Sequence, residues 1–380
     1  MSAPSEAELF ALAERALAHA GEEAQVTAWW ERSLSAHPFA CLTEEVLRVE
    51  VMCVRAGSVG RVSTGDVDEE GLARAARGAA DLANAREARD PWALPEPGTG
   101  RAHTGWDPSL LRLDPAEVAE GAGPGTAWAG AAARTAIIST RGVRAYEQRS
   151  HVRRTAFGAE LAAVRAAEVA DPAPYGDWRE DPQPEPVEPG EYAVVLGPAA
   201  VAAALDPLRS LLADAVAPGR RAAAAAVNLS DSPRFAGTLP RSYDEHGSPL
   251  APAPLIQDGV AAASIPSRRL DHLVLVGGGA SDANELAAPI DDGLFIPVLH
   301  VLAAHTPLLA VAAPVRIRGG EISGGGVPGV RVVLDPLALL GAVQALTSSQ
   351  ATIPTRDRSA RTAGATVCPA ARFGGGVRVL

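Results

Sequence analysis

Residues 171–190 constrain the fold of this chain more than any other stretch, because six of these twenty residues are proline. Proline has no backbone N–H and a fixed φ, so a segment this rich in it cannot form an interior helix or a central strand. We therefore predict a linker or an extended crossing segment here. It would separate an N-terminal domain, residues 1–170, from a C-terminal domain, residues 191–380, and the length of the chain suits two medium domains.

The N-terminal part begins with a helix pattern and a strand pattern. Ser5 and Glu8 have the spacing of a capping box, and apolar residues recur behind them at helical intervals, so residues 6–20 are predicted to form a helix. Residues 46–55 alternate between apolar and polar side chains, which predicts a strand with one buried face. Cys53 lies on that face, and we interpret it as a core residue.

The same mixture continues towards the proline-rich segment. Asp66 and Glu69 repeat the capping spacing and predict a second helix that ends at about residue 87. Residues 135–160 predict two strands joined by a turn at Gly142. The first half is therefore expected to be an α/β or α+β unit.

Strand patterns dominate the C-terminal part. Residues 191–196 predict a strand, and Pro198 stands where a helix over residues 199–216 would begin. The remainder is strand-like and interrupted by turns. Three Gly-Gly-Gly clusters lack the spacing of a phosphate-binding loop and are interpreted as turns; they lie at 277–279, 324–326 and 374–376.

Composition and charge exclude several classes of function. The sequence has no lysine, so neither a Schiff base to pyridoxal phosphate nor a phosphate-loop lysine can form. The formal net charge of −11 predicts a protein that does not bind nucleic acid. Arg149, Arg153 and Arg154 are too few for a basic patch, and we interpret them as the solvated face of a strand.

The sequence also indicates where the protein works. It has no apolar run long enough to span a membrane, and its N-terminus lacks the pattern of a signal peptide, so we expect a soluble, cytoplasmic protein with no membrane interaction. Cys41, Cys53 and Cys368 have no CxxC spacing, which argues against a disulfide framework and a structural zinc site.

The densest group of chemically active side chains is Asp244, Glu245 and His246, which Gly247 follows directly. Carboxylates and imidazoles serve as metal ligands and as acid–base groups. A glycine at this place is equally typical of a turn in which one residue has a positive φ. The residues alone therefore leave a functional site and a structural turn open.

Five phrases, taken in order, resemble the C-terminal domain of the TldD/PmbA family, which is also called TldD/TldE or modulator of gyrase. They are PGEYAVVLGPAAVAAAL (189–205), VNLSDSPRFAG (227–237), SYDEHGSPLAPAPLIQDGV (242–260), VRIRGGEI (315–322) and CPAARFGGGVRV (368–379). The resemblance implies a two-domain α+β fold, with an N-terminal α/β domain and a C-terminal domain of mostly antiparallel sheet. It also implies that Asp244–Gly247 is a turn between two strands, in which His246 replaces a glutamate of many relatives. Asp244, Glu245 and His246 are our candidate substrate-binding residues, and we predict no catalytic residue on this chain.

The resemblance further implies a cytoplasmic metallopeptidase made of two different chains. The TldD-type chain carries His-Glu-x-x-x-His on the first helix of its second domain, where two imidazoles bind the metal and the glutamate accepts a proton from water. Residues 199–216 contain no histidine, so this chain resembles the TldE (PmbA) subunit. We predict that it holds no cofactor or metal. Its partner would be a TldD-like chain with zinc or another divalent metal, and the pair would take an unfolded peptide or a pathway-specific peptide-like substrate.

Two other candidate sites are weaker. His300 and His305 have the separation of the two motif histidines, but Val301 replaces the glutamate, and the segment follows the Asp244–Gly247 turn instead of preceding it. We therefore predict no metal role for them. Cys368 is the one candidate nucleophile for an independent hydrolase, and we interpret it as a buried strand residue because no His–Asp pair accompanies it.

A function of a different class stays open from the sequence. A scaffold or small-molecule binding protein of the same fold, with a role in a biosynthetic pathway, would lack the metal motif equally well. A neighbouring gene for a chain with His-Glu-x-x-x-His would separate the two hypotheses.

Overall fold

The computed structural model describes residues 3–37, 40–85, 91–121, 125–156, 159–170, 186–266, 268–303 and 307–380. Most of the predicted linker, residues 171–185, lies outside these ranges, as does His305.

The N-terminal half forms one antiparallel sheet with the strand order β3-β2-β1-β4-β5-β6. The strands are β1 (Ala24–His37), β2 (Ala40–Arg55), β3 (Ser58–Thr64), β4 (Thr126–Ser139), β5 (Arg144–Ala156) and β6 (Ala159–Ala163). The predicted strand over 46–55 is the second part of β2. The first part of β2 is mostly exposed and carries polar side chains, so apolar alternation could not reveal it. The predicted turn at Gly142 is confirmed, with φ +88°.

Helices cover one face of this sheet. They are α1 (Glu6–His19), α2 (Glu69–Asn84) and α3 (Pro115–Gly121), with 3-10 helices at Pro108–Leu111 and Ala166–Glu168. The predicted capping box of α1 is present, because the Ser5 hydroxyl accepts from the Glu8 N–H and the Glu8 carboxylate accepts from the Ser5 N–H. The predicted cap of α2 is wrong: Asp68 caps this helix, whereas Asp66 pairs with Arg74 on its second turn.

The core of this half is small and tightly packed. Leucine and alanine side chains of α1 and α2 meet valine side chains of β1 and β2, and Cys53 is fully buried among them, as predicted. The sequence contains few aromatic residues. Small alanine side chains fill much of this core instead of large rings, so the helices can pack close to the sheet.

The C-terminal half forms two sheets. The larger one has the order β11-β10-β9-β12-β20-β8-β13-β16-β17, and β19 also pairs with β20. Its strands are β8 (Ala193–Leu196), β9 (Leu229–Asp231), β10 (Ala253–Gln257), β11 (Val260–Ala261), β12 (His272–Leu275), β13 (Asp292–Ile296), β16 (Val315–Arg318), β17 (Glu321–Ser323), β19 (Val343–Pro354) and β20 (Ala365–Phe373). The five-stranded sheet has the order β14-β15-β18-β21-β7. Its strands are β7 (Gly190–Glu191), β14 (Leu299–Ala303), β15 (Leu308–Ala312), β18 (Val330–Leu334) and β21 (Val377–Val379).

Four short helices join these strands: α4 (Pro198–Leu205), α5 (Leu208–Ala215), α6 (Ala283–Ala287) and α7 (Pro336–Gly341). The prediction of one helix over 199–216 is wrong, because Pro207 lacks an N–H and interrupts the chain between α4 and α5. Helix α4 is almost entirely buried and contacts β20 of one sheet and β14 of the other. It therefore lies at the centre of this half.

The predicted α+β class is confirmed. Among the described strands, β8–β13 and β12–β20 are parallel pairs, and the other pairs of named strands are antiparallel. The strands of the first sheet end before residue 164, and those of the other two begin after residue 189. The division into domains at residues 170 and 191 stays a prediction. None of the helices in the described ranges is long and apolar enough to cross a membrane.

Candidate functional site

A cleft of about 560 Å³ opens between the two halves of the chain. Residues 92–95 of the N-terminal half form one wall, and the loops at 241–250, 268–272 and 355–362 form the rest. Asp244, Glu245 and His246 all line this cleft. The structure thus brings the three sequence candidates together at one concave surface, and their role in binding substrate stays a prediction.

The segment from Asp244 to Ser248 is a turn stabilised by one carboxylate. Asp244 Oδ1 accepts from the backbone N–H groups of His246 and Ser248, at 2.9 Å each, and the Asp244 N–H donates to the Ser248 carbonyl. Gly247 has φ +81°, the left-handed region that glycine tolerates best. The predicted turn is confirmed, and the first role of Asp244 is to hold it.

Replacement of Gly247 by alanine is expected to lower the free energy of unfolding by about 2–3 kcal/mol, from the cost of a positive φ plus overpacking. A Cβ at this position would lie 2.6 Å from Val143 Cγ1. Gly279→Ala is the matched control, because a Cβ there meets nothing within 4 Å, and it should change stability by less than about 0.5 kcal/mol. Urea denaturation measures both variants. Equal stabilities for the two would contradict this account of the turn.

Glu245 and His246 lie side by side at the mouth of the cleft. His246 Nε2 lies 3.3 Å from Glu245 Oε1 and 3.4 Å from a guanidinium nitrogen of Arg61, and the His246 ring packs on Trp92 with 4.8 Å between ring centroids. The hydrogen bond from His246 lowers the pKa of Glu245 to about 2, against the effect of burial and with help from the charges of His246, Arg61 and Arg241. Glu245 is therefore ionised at neutral pH, which suits it to binding a donor group and not to proton transfer.

The floor of the cleft is formed by Arg241 and His272. Arg241 is only 5% exposed, and its described ion pair, to Asp271, is long at 3.9 Å. His272 is fully buried at the start of β12. Beside them, Asp231 accepts from the His272 backbone N–H and pairs with Arg268 at 2.5 Å.

Arg149 of β5 holds the loops that build this floor. Its guanidinium donates to five backbone carbonyls, those of Leu239, Pro240, Ala360, Arg361 and Ala363. Burial lowers the pKa of Arg149 to about 10, which leaves it charged at neutral pH. One side chain of the first sheet thus holds two of the three loops of the second half that line the cleft.

Arg153 makes a similar contact. It is 1% exposed and donates to the carbonyls of Thr355 and Asp357 and to His151 Nε2. The prediction of a solvated strand face is therefore wrong for Arg149 and Arg153, while Arg154 is partly exposed. The physical reason is that the carbonyls of the 355–363 loop replace water around the two guanidinium groups.

Glu147 supports the same region from β5. It accepts from His103 Nε2 at 3.0 Å and from the Ser242 backbone N–H. Burial would raise the pKa of Glu147, but the hydrogen bond from His103, the charges of Arg149 and Arg241, and the Ser242 N–H together lower it. An ionised carboxylate therefore anchors the chain two residues before Asp244.

The helix pair at which the resemblance places a metal motif does not fit a catalytic metal here. Helices α4 and α5 contain no histidine, and the one charged side chain in their buried positions is Arg209, which cannot bind a metal ion. Across the described ranges, no group of three or more His, Cys, Asp and Glu residues is arranged to hold a metal ion. We therefore derive no chemical step through a metal on this chain.

The remaining sequence candidates lie elsewhere. His300 lies on β14 and lines a different, smaller pocket beside α4, and His305 lies outside the described residues. Cys368 is fully buried on β20, and burial raises the pKa of its thiol far above the usual value, so it is not a thiolate nucleophile.

Sequence reasoning missed Arg241, Arg268 and His272. The available signal was SRRLDHL at 267–273, where two arginines, an aspartate and a histidine interrupt an apolar stretch that leads into β12. Charged residues beside a buried strand need partners, which could have drawn attention to the phrase.

Comparison with known proteins gives a clear result for structure only. No family model matches the sequence, and no curated protein is detectably similar to it. Three solved structures share its fold. TldE from Thermococcus kodakarensis has a TM-score of 0.72 at 15% identity, over 97% of this chain and 99% of that one.

The other two structures are proposed modulators of DNA gyrase. The protein from Bacteroides thetaiotaomicron has a TM-score of 0.74 at 14% identity, over 98% of both chains. The protein from Thermotoga maritima has a TM-score of 0.71 at 15% identity, also over 98% of both chains. The chain therefore has the TldD/PmbA-like fold over nearly its whole length, as the five phrases predicted.

Proposed function

We propose that this chain is a TldE-like subunit that holds no catalytic metal and completes the substrate groove of a two-chain peptidase. Its partner is a TldD-like chain with His-Glu-x-x-x-His, and zinc or another divalent metal on that partner would activate the water that attacks the peptide. The substrate is an unfolded peptide or a pathway-specific peptide-like molecule, and the pair works in the cytoplasm.

One observation carries this proposal. The chain shares its fold with TldE over nearly its whole length, yet α4 and α5 carry no histidine, glutamate or cysteine where the TldD-type motif would bind metal. Zinc needs three or four N, S or O ligands, which these helices cannot supply. A chain of this fold that lacks the metal-binding motif needs a second chain that carries the motif in order to act as a peptidase.

The cleft supports a role in holding substrate. It lies between the two halves of the chain, and its lining includes Trp92, Pro95 and Leu250 together with the charged groups of the turn. Pockets of about 300–1,000 Å³ with an apolar lining and a few fixed polar groups are typical binding sites. An extended peptide can also pair with the edge of a sheet through main-chain hydrogen bonds, which tolerates many sequences.

Co-expression with the TldD-like chain of the same genome, followed by size-exclusion chromatography and metal analysis, tests the pairing. We expect a joint peak with about one metal per pair and no metal on this chain alone. A partner variant with both motif histidines replaced by alanine should still join the peak without metal. If this chain elutes alone while the partner cleaves peptides without it, the proposal fails and the scaffold or small-molecule function is favoured.

A further inference from the structure

The guanidinium of Arg241 is a buried cation without adequate partners. Its Nε is buried and has no hydrogen-bond partner among the described residues, and Asp271 is 3.9 Å away, beyond hydrogen-bond distance. The carboxylate of Asp271 is engaged instead by Arg269 at 3.0 Å. A buried charge in this condition is costly unless something else neutralises it.

His272 borders the same floor and is also unsatisfied. Neither ring nitrogen has a hydrogen-bond partner in the part of the chain that the structure describes, and Nδ1 is 4.0 Å from the Asp231 carboxylate. Burial, together with the charges of Arg149, Arg241, Arg209 and Arg268, keeps its pKa well below the usual value, so the ring is neutral. A neutral imidazole has one N–H that can donate to a ligand oxygen.

Several charged side chains are buried around the floor of the cleft. Among the described residues, four arginines are buried, together with the carboxylates of Glu31 and Asp231, and a third carboxylate, that of Glu147, is engaged by His103 and the Ser242 N–H. Glu31 is occupied by Ser359 and by the Ala360 N–H, and Asp231 by Arg268. None of the described carboxylates accepts a hydrogen bond from Arg241 Nε, so the carboxylate of a ligand can supply this acceptor.

We infer that Arg241 and His272 form a carboxylate-binding site, and that its ligand is the C-terminal carboxylate of a peptide. A guanidinium donates two parallel N–H groups to a carboxylate, and the His272 N–H adds a third donor. This carboxylate-binding site adds a substrate contact to the proposed function. It rests on that function only for the assumption that the ligand is a peptide.

The charges and the volume of the rest of the cleft favour a ligand that carries a single negative charge at the end of a longer molecule. Asp244, Glu245 and Asp357 line the cleft as well, so a dianion such as phosphate would meet repulsion at the mouth. The volume of about 560 Å³ exceeds the needs of a single small anion and suits several residues. Trp92 and Leu250 provide apolar surface for the side chains that precede the terminus.

Calorimetric titration of this chain alone, without its partner, tests the site. The probes are acetyl-Ala-Gly-Ala-Leu with a free C-terminal carboxylate and the same peptide with a C-terminal amide. We expect the acid to bind at least about tenfold more tightly than the amide, since a charge-assisted hydrogen bond replaces a neutral one. Arg241→Gln and His272→Gln should each remove most of this preference, whereas Arg331→Gln, an exposed change on β18, should keep it.

The stability of each variant is measured as well, so that a loss of binding is not confused with a loss of folding. Because Arg241 is poorly paired, Arg241→Gln should keep the thermal midpoint within a few degrees of the wild type. Equal binding of acid and amide by the wild type, no binding of either, or an unchanged preference in Arg241→Gln would each overturn the assignment. Tighter binding of inorganic phosphate than of the acid peptide, with the same dependence on Arg241, would also overturn it. None of these results depends on whether the chain pairs with a TldD-like partner.

Discussion

Replacement of Arg149 by methionine is expected to reduce the free energy of unfolding by about 4 kcal/mol or more, because several buried acceptors lose their donors at once. The side chain is 5% exposed and donates to five carbonyls of two loops. A methionine side chain is long and unbranched like that of arginine, but it has no hydrogen-bond donor. The carbonyls of Leu239 and Pro240 would lose their partner directly before Arg241, so the cleft should deform as well.

Two further variants separate the effect of the lost hydrogen bonds from the effect of the lost charge and from the effect of removing any arginine side chain. Arg149→Lys keeps the charge, but an ammonium has three donors and lacks the planar geometry, so about half of the loss should remain. Arg74→Met removes an exposed arginine that pairs with Asp66 and Glu70, and it should cost less than about 1 kcal/mol. Urea denaturation followed by circular dichroism measures all three. A loss below about 1 kcal/mol for Arg149→Met would show that the loops do not depend on this side chain.

The protein is expected to lose stability steeply as the pH falls from 6.5 to 5. His151 and His272 are fully buried, and desolvation, followed by the charges of neighbouring arginines, keeps the pKa of each well below its usual value. The unfolded chain protonates both below about pH 6.5, whereas the folded chain does not, so the stability they provide is complete above that pH and lost below it.

Two protons correspond to a slope of about 2.7 kcal/mol per pH unit. Glu31 opposes part of this slope, because burial raises its pKa and the folded state gains a proton there as the pH falls. Glu245, whose pKa is lowered to about 2, acts only at more acidic pH. His272→Gln or His151→Gln should roughly halve the slope, whereas His300→Gln, on the exposed side of β14, should leave it unchanged. A stability that is constant between pH 7.5 and 5 would contradict the buried neutral state of both histidines.

Sequence patterns that span only a few residues correctly predicted a helix cap, turns and buried strand positions. Ser5 and Glu8 form the predicted capping box, Gly142 and Gly247 lie in the predicted turns with positive φ, and Cys53 and Cys368 are buried on strands. Each of these features depends on residues close together in the sequence. Pro207 was also visible in the sequence, and its effect on the helix should have been predicted.

The floor of the cleft could not be predicted in the same way. Arg149 and Arg153 look like surface residues because most of the carbonyls that accept their hydrogen bonds are far from them in sequence. Their partners lie about two hundred residues further along the chain, in the loop between β19 and β20. Arg241 and His272 meet only through the pairing of β12 with β9 and the folding of the long loop after β9.

The family resemblance contributed information of a different kind. Five phrases in order predicted a fold that three solved structures share at 14–15% identity. The same resemblance named Asp244, Glu245 and His246, which do line the cleft, but it did not point to the arginines beneath them.

Hydrolysis of an unfolded fluorogenic peptide by purified components tests the central claim most directly. The assay compares this chain alone, the TldD-like chain alone and the two together, each after dialysis against chelator and again after zinc is restored. The account predicts hydrolysis by the zinc-loaded pair, none by this chain under any condition, and a large loss when this chain is omitted. Hydrolysis by this chain alone, or equal activity of the partner without it, would contradict the proposal that it is a metal-free subunit of a peptidase.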